Sequence, residues 1–107
     1  MGGTSDRRPR IWSPEAEADL YRIWQHLADA ATSSIADRAV IGIYHVAFVV
    51  GGYPDFGRAR EDIRPGLRSV RFERWVAFYR VRRDAIEIVR VLDERRDVRR
   101  FLPAIRR

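Results

Sequence analysis

The sequence of 107 residues contains neither cysteine nor lysine. The absence of cysteine excludes a disulfide framework, a thiolate metal site and a cysteine nucleophile, and it fits a reducing compartment. The absence of lysine excludes a lysine general base, a Schiff base and a lysine phosphate clamp. All 21 basic side chains are arginines, and the formal charge is +6. This charge favours an anionic partner, either nucleic acid or an acidic protein, unless arginine is simply the basic residue of this composition.

Long apolar runs are also missing. No uninterrupted run approaches the roughly 20 residues of a membrane-spanning helix, and the polar opening segment lacks the apolar stretch of an export signal. We therefore expect a cytoplasmic protein without membrane contact. The length predicts a single domain over 1–107, with a loose N-terminal segment at 1–7 and a folded core at 8–102.

The sequence has few residues that suggest a metal, cofactor or nucleophile site. Its two histidines, His26 and His45, fall in predicted helices without metal-ligand spacing to other candidates, so we expect structural or surface roles for them. The pair Gly51-Gly52 is better explained as a helix stop than as a phosphate-binding loop. We accordingly predict no cofactor and no metal site.

Two amphipathic helices occupy the first half of the chain. Ser13 is a suitable cap for the first helix, and Pro14 suits its first position. A second helix begins within 32–34, where Ser34 and Asp37 resemble a capping pair, and the glycine pair ends it. Because the connection is short, the two helices should form an antiparallel hairpin.

The second half changes to a period of two after a Pro- and Gly-containing loop at 53–66. This period predicts three strands, at 67–72, 75–81 and 86–92. Hairpin-sized gaps predict antiparallel pairing in chain order. A short edge strand within 8–12 and a last helical turn within 97–102 complete the prediction. The predicted fold is α+β, with an N-terminal antiparallel helical hairpin packed on a small antiparallel β-sheet.

The shortest hairpin loops fix a register that gives the sheet two faces. One face is mostly apolar and should pack on the helices. The other has basic ends and an apolar middle, formed by Val76, Phe78, Val89 and Val91. An exposed apolar patch with a charged rim is typical of a partner site. The alternative is that the C-terminal segment Phe101–Ile105 folds over it, and a one-residue slip in register would exchange the faces.

Several arginines lack an obvious structural role. Arg80 lies opposite Glu87 in this register, which predicts a cross-strand ion pair. The arginines without such a partner are Arg71, Arg95, Arg96, Arg99 and Arg100. The run after the last strand is either a solvated basic tail or a binding surface, since arginine suits bidentate capture of carboxylate or phosphate.

The order of these elements and several short sequence words resemble the ParE/RelE family of type II toxins, from about Ile11 to Leu102. The words are, in chain order, Ser13-Pro-Glu-Ala with Asp19-Leu20, the late Pro54 and Gly57, Arg64-Pro-Gly-Leu-Arg68, Phe78-Tyr-Arg-Val81, and Ile88-Val-Arg-Val-Leu92 followed by Arg96-Asp97. The resemblance implies a helical hairpin on an antiparallel sheet. It also implies a cognate antitoxin, whose C-terminal segment wraps the toxin, and a toxin–antitoxin hetero-oligomer.

The family has two branches, which the sequence helps to separate. The ParE branch poisons DNA gyrase and blocks replication, and the RelE branch cleaves messenger RNA on the ribosome. Ribonuclease members generally use basic residues, often lysines, and a tyrosine or histidine near the C-terminus to move protons. Here lysine is absent, and Phe101 stands about where that tyrosine is expected. The ParE branch is favoured, without enzymatic activity, although Asp93 stands where many ParE-like chains have histidine.

We therefore predict a ParE-like gyrase inhibitor that is neutralised by a ParD-like antitoxin and recognises no specific nucleic acid by itself. Target binding is predicted for Arg71, Arg95, Arg96, Arg99 and Arg100. Antitoxin binding is predicted for the helical hairpin and for Val76, Phe78, Arg80, Val89 and Val91. One alternative is a RelE-like ribosome-dependent endoribonuclease, with Arg71 and Arg95 as catalytic candidates. The other is a degenerate, non-toxic family member that only binds an antitoxin.

Overall fold

A computed structural model describes residues 7–102 and shows a helical hairpin followed by a five-stranded mixed sheet. The elements are β1 (Arg10–Trp12), α1 (Pro14–Ala30), α2 (Ser33–Gly52), β2 (Arg58–Ala59), β3 (Leu67–Phe72), β4 (Trp75–Val81), β5 (Ile86–Asp93) and a 3-10 turn at Val98–Arg100. The predicted α+β fold is confirmed. Most of the predicted loose segment 1–7, and the chain after Leu102, lie outside the described residues.

Both helices begin at a capping side chain. The Ser13 hydroxyl accepts a hydrogen bond from the Ala16 amide at 3.0 Å, as predicted for α1. At α2 the predicted pair of Ser34 and Asp37 is wrong, because Ser34 already lies inside the helix. Thr32 has the extended backbone of a cap, and its hydroxyl accepts from the Ile35 amide at 3.1 Å.

The strand order in the sheet is β1-β5-β4-β3-β2. The three long strands pair antiparallel in chain order, as predicted. The sheet is not purely antiparallel, because β1 runs parallel to β5, with Arg10 opposite Ile86 and Trp12 opposite Ile88. β2 pairs with β3 inside the predicted loop 53–66, and its two residues are too few to show an alternating pattern.

A β-bulge in β5 corrects the predicted register. Phe78 pairs with Arg90 but the next residue of β4 pairs with Ile88, so Val89 is an additional residue in β5. One extra residue reverses the faces of the residues that follow. Val91 consequently packs under the helices, and Leu92 faces the opposite side of the sheet.

The second face of the sheet carries a small core of its own. Phe78 and Val89 are 3% and 1% exposed, and they pack with Leu67, Leu92 and Leu102. The partly buried side chains of Ile63, Val76, Val98 and Phe101 surround this cluster. The predicted exposed patch of Val76, Phe78, Val89 and Val91 is therefore wrong, since Val91, 1% exposed, lies in the helix-side core. The alternative prediction was that the C-terminal segment folds over this face, and it is confirmed for Phe101 and Leu102, the part of that segment that the structure describes.

α2 is the core helix of the domain. By length and composition alone, this helix would be long and apolar enough to cross a membrane. This was not predicted from the sequence, because the prediction was based on uninterrupted apolar runs. Ile43, Ala47 and Val50 are buried between α2 and the sheet. Gly42 allows the close approach, since a methyl group there would overlap the ring of Phe72. One face of α2 is thus committed to the core.

The loop before β3 is fastened to the sheet by hydrogen bonds. The Tyr79 hydroxyl donates to the Pro54 carbonyl at 2.8 Å and accepts from the Gly57 amide at 2.9 Å. Arg68 donates to the carbonyls of Gly57 and Asp55 at 3.2 and 3.1 Å. Burial raises the pKa of Tyr79, so its hydroxyl keeps its proton and its donor role.

Candidate functional site

The start of α1 is anchored on the bulge of β5. The Ser13 hydroxyl donates to the Val89 carbonyl at 2.9 Å, and the Ser13 amide donates to the Ile88 carbonyl at 3.0 Å. Strand β1 ends at Trp12, so beyond that point β5 has no strand on this side. Ser13 satisfies the carbonyls there and fixes the direction in which α1 leaves the sheet.

A buried carboxylate, Asp19, continues this anchor nearly two turns further along α1. Asp19 is 4% exposed and accepts from Arg90 Nε and Nη2, each at 2.8 Å. It also accepts from the Val91 amide at 2.8 Å and from Arg22 Nη2 at 2.9 Å. Hydrogen bonding to Asp19 raises the pKa of Arg90. The bidentate geometry holds the Arg90 side chain in one position.

A groove of about 470 Å³ opens beside this ion pair, and we call it the arginine groove. Its walls are α1, the end of β5, the β3–β4 turn and the segment after β5. Charged side chains at the groove are Asp19, Arg22, Arg74, Arg90, Asp93 and Arg96. Trp75, Leu92 and Phe101 supply much of its apolar surface, and His26 lines it from α1.

The arginines of the groove are held in different ways. Arg74 donates to Asp93 at 3.0 Å and lies over the Trp75 ring at 4.6 Å. The Arg96 guanidinium lies over the Phe101 ring at 4.9 Å, and it has no carboxylate partner within residues 7–102. A guanidinium on an aromatic face keeps its N–H donors in the plane available. Arg96 is therefore placed to bind a carboxylate or a phosphate.

Asp93 holds two arginines, Arg74 and Arg95, at the mouth of the groove. It accepts from the Arg95 amide at 2.9 Å and from Arg95 Nε at 3.2 Å, in addition to Arg74. The Arg95 hydrogen bond and the neighbouring positive charges lower the pKa of Asp93 to about 2. The carboxylate stays charged at neutral pH and holds both arginines in place. Four arginines against two aspartates leave the groove with a positive charge.

A family model described as "ParE toxin of type II toxin-antitoxin system, parDE" matches residues 10–98, most of the chain. The chain belongs to the ParE toxin family. It is 36% identical to Toxin ParE1 of Mycobacterium tuberculosis over 93 residues, which cover 86% of this chain and 95% of that protein. It is 31% identical to Toxin ParE3 of Caulobacter vibrioides over 77 residues, which cover 72% and 77%.

The fold also has a relative among solved structures. The structure titled "Chromosomal ParDE TA system from P. aeruginosa" contains a chain that matches with a TM-score of 0.72 and 26% identity. The match covers 82% of this chain and 97% of that chain. The family resemblance predicted from the sequence words is thereby confirmed.

The predicted target-binding arginines of this ParE-family toxin do not form one cluster. Arg96 lines the arginine groove and Arg95 adjoins it through Asp93. Arg71 is exposed and forms an ion pair with Glu94. Arg99 donates to the Asp62 carbonyl at 2.9 Å. Arg100 is exposed at the end of the 3-10 turn. The structure thus brings two of the five to the groove, and target binding stays a prediction for all five.

Arg80 forms the ion pair that its register predicted. It donates to Glu87 at 3.1 Å, and Arg82 reaches the same oxygen at 2.7 Å. Burial would raise the pKa of Glu87, but the Arg82 hydrogen bond and the Arg80 charge outweigh burial and lower it. Antitoxin binding stays a prediction for the five residues proposed for it, which are Val76, Phe78, Arg80, Val89 and Val91. The apolar patch that suggested this role is not exposed, since Phe78, Val89 and Val91 are buried.

Sequence reasoning missed Asp19, Arg22, Arg74 and Arg90 as parts of one site. One signal was present. Asp19 falls on the same stripe of α1 as Ala16, Leu20 and Ile23, which are all buried. A carboxylate on a buried stripe requires a cation beside it, and that requirement points to an arginine of a neighbouring strand. His26 and His45 are both exposed, and His26 lines the arginine groove, so the structural or surface roles expected of them stay predictions.

Proposed function

We propose that this ParE-family toxin acts in the cytoplasm, where it inhibits DNA gyrase and thereby replication. Family membership supports gyrase as the target. The arginine groove supports a binding mode, since it combines an apolar floor with fixed guanidinium groups. Such a surface suits an acidic protein segment, which can place an apolar side chain on Trp75 and a carboxylate on Arg96.

The proposal includes neutralisation by a ParD-like antitoxin in a hetero-oligomer. It is supported by the structural relative, whose title names a ParDE toxin–antitoxin system. A bound antitoxin can neutralise a toxin that acts by binding, because it covers the contact surface.

Binding is favoured over catalysis by the surroundings of the two ribonuclease candidates. Arg71 is paired with Glu94 and Arg95 with Asp93. Phe101 lies beside Arg90 and Arg96 and has no proton to transfer. General acid–base catalysis needs a proton donor or acceptor that is free to reach the reacting atoms, whereas both arginines are engaged by carboxylates.

A supercoiling assay with purified gyrase tests the proposal. The wild-type toxin is expected to inhibit supercoiling and to increase cleaved gyrase–DNA complexes. Arg96→Ala should weaken inhibition about tenfold, equivalent to ~1.4 kcal/mol of binding free energy. Arg58→Ala is the matched control, because Arg58 is exposed on the edge strand β2 and is not part of the groove. Equal loss in both variants would contradict the groove as the contact.

Brief induction in cells without the antitoxin separates the alternatives. Filamentous growth and loss of supercoiling while translation continues would support gyrase as the target. An early stop of translation, with messages cut at ribosomes, would support the ribonuclease instead. A stably folded chain without any growth effect would identify a degenerate member that only binds an antitoxin.

A further inference from the structure

Three arginines of the arginine groove keep N–H groups that have no acceptor among the described residues. Arg22 donates to Asp19 only from Nη2, and Arg74 donates to Asp93 only from Nε. In the part of the chain that the structure describes, the Arg96 guanidinium has no carboxylate partner. The three side chains come from α1, the β3–β4 turn and the segment after β5. Their remaining donors therefore reach the groove from three directions.

Each of these guanidinium groups is also held in place by a neighbour. The buried carboxylate of α1 holds Arg22 at 2.9 Å. Arg74 lies over the Trp75 ring, and Arg96 lies over the Phe101 ring at 4.9 Å. Because the side chains are already held, binding a ligand costs less conformational entropy than it would with mobile arginines. The groove is thus prepared for a phosphate group, whose oxygens match guanidinium groups with paired hydrogen bonds.

The charge of the groove favours a dianion. Four arginines and two aspartates line it, which is an excess of two positive charges. Arg90 contributes charge rather than donors, because it donates to Asp19 from Nε and Nη2 and to the Phe101 carbonyl from Nη1. A carboxylate or a phosphate diester brings one negative charge, whereas a phosphate monoester carries about −1.5 to −2 at neutral pH. A monoester therefore complements the charge of the groove best.

The size and the apolar surface of the groove suit a small organic ligand. Its volume of about 470 Å³ lies within the roughly 300–1,000 Å³ of small-molecule sites. Ile23, Leu92 and Phe101 line it beside the arginines. A nucleoside fits these surroundings, because bases pack on aromatic rings and on guanidinium planes. The groove therefore offers a partner both to the phosphate and to the base of a nucleotide.

A long nucleic acid fits the same region less well. α1 forms one wall of the groove and carries Glu15 and Glu17 in its first turn and Asp29 in its last, all exposed. A strand with a phosphate at every nucleotide extends past the groove and meets these carboxylates. A single nucleotide avoids them, because its one phosphate stays among the arginines.

We propose that the arginine groove binds a nucleoside monophosphate, with the phosphate on Arg22, Arg74 and Arg96 and the nucleoside against the apolar wall. While it is bound, the nucleotide excludes the target from the groove. The exclusion rests on the proposed function, since it needs a target that uses the same arginines. The binding of the nucleotide does not rest on it, because it follows from the charge and the donors of the groove alone.

Titration calorimetry of the purified toxin with adenosine monophosphate tests the site. Cyclic adenosine monophosphate is the matched control, because it has the same base and sugar but is a diester with one negative charge. The monoester should bind about tenfold more tightly than the cyclic diester, and adenosine should not bind measurably. Equal affinities for the monoester and the diester, or for the monoester and adenosine, would overturn the inference.

A pair of variants locates the bound phosphate. Arg96→Ala should weaken binding of adenosine monophosphate about tenfold or more, since it removes an unpaired guanidinium from the groove. Arg38→Ala is the control with the same change of charge, because Arg38 is 77% exposed on α2 and does not line the groove. It should change the affinity less than twofold, and equal losses in both variants would overturn the site. An oligonucleotide without terminal phosphates that binds more tightly than the monoester, and loses this binding in Arg96→Ala, would identify a nucleic-acid surface instead.

The supercoiling assay tests the exclusion. Adenosine monophosphate at about ten times its dissociation constant should raise the toxin concentration for half inhibition about tenfold, and gyrase with the nucleotide alone is the control. Unchanged inhibition by a toxin whose groove is saturated would overturn the exclusion. A toxin that binds the nucleotide but does not inhibit gyrase would contradict the proposed target and support the nucleotide site.

Discussion

Asp19 shows how one side chain decides the position of others. It is buried on the core stripe of α1, and Arg90, Arg22 and the Val91 amide all donate to it. A buried ion pair adds little to stability compared with an apolar pair, but removing one partner leaves the other charge buried and unpaired. The pair therefore specifies how α1 lies on β5 and where Arg90 meets the groove.

Replacing Asp19 with asparagine should destabilise the domain strongly. Asp19→Asn leaves Arg90 without its counter-charge, so the free energy of unfolding should fall by about 3 kcal/mol. Urea unfolding followed by far-ultraviolet circular dichroism measures the change. Asp29→Asn is the control, because Asp29 is exposed on the same helix. A loss below about 0.5 kcal/mol at Asp19, as at an ordinary surface site, would contradict the role of this pair.

Asp93 should make the stability of the domain sensitive to acid. Its pKa is lowered to about 2 in the folded chain, against about 3.9 for an unperturbed aspartate. A depressed folded pKa contributes stability above the unfolded value, and this contribution is lost as the pH falls from about 4 towards 2. Urea unfolding at a series of pH values should show that Asp93→Asn flattens this decrease. The exposed Asp84 provides the control, and Asp84→Asn should leave the decrease unchanged.

At the scale of elements, the helices and long strands were predictable and the bulge was not. Caps and apolar spacing indicated α1 and α2, and alternation indicated β3, β4 and β5. No glycine marks the extra residue at Val89, and the adjacent apolar pair Ile88-Val89 is equally typical of a regular strand that is buried on both faces, so the sequence did not indicate a bulge. The bulge is stabilised from outside the strand, by Ser13 and Asp19 of α1. Register reasoning within the sheet could not include these contacts.

The site was less predictable than the fold for a related reason. The arginine groove combines α1, the β3–β4 turn, β5 and the segment after it, which are distant in the sequence. Among 21 arginines, those of the groove differ from the others only by their tertiary neighbours. The run at Arg95 and Arg96 was found because the charges are consecutive. Arg22 and Arg74 were missed because each stands alone.

Leu102 should stabilise the second core, the apolar cluster on the face of the sheet opposite the helices. Leu102 is 1% exposed among Leu67, Phe78 and Val89, and Arg64 donates to its carbonyl at 3.0 Å. Leu102→Ala should lower the free energy of unfolding by about 2–4 kcal/mol through the lost burial and the cavity. Chemical denaturation measures this loss, with the half-exposed Ile35→Ala as the control. Similar small losses in both variants would show that the segment is dispensable for the second core.

At the scale of the whole molecule, the helical hairpin and the rest of the chain carry net charges of opposite sign. The helical segment 13–52 contains five carboxylates and two arginines, so it is acidic, whereas the rest of the chain is strongly basic. Within residues 7–102, Arg96 in the arginine groove and the arginines around β1 have no carboxylate partner. A charge distribution of this kind steers acidic partners towards the basic side of the molecule.

The rate of antitoxin binding should therefore depend on salt. Raising the ionic strength from about 0.01 M to 0.15 M shortens the Debye length from about 30 to 8 Å, so the association rate constant should fall at least severalfold while the dissociation rate constant changes little. Stopped-flow fluorescence of the tryptophans measures both. An antitoxin variant whose acidic side chains are replaced by neutral ones should show no such dependence. An association rate independent of salt would contradict electrostatic steering.

The parallel pairing of β1 with β5 has a consequence for the order of folding. The hydrogen bonds that join Ser13 to Val89 and Asp19 to Arg90 and Val91 span 76, 71 and 72 residues. Contacts between distant parts of a chain form late, because a long loop must close before they contribute. β1, the first strand to be synthesised, is therefore fixed in the sheet only after β5, the last strand, has been synthesised. A nascent chain that has not yet released β5 lacks the arginine groove and a fixed position for β1, so any binding that depends on these surfaces can begin only after the last strand has been synthesised.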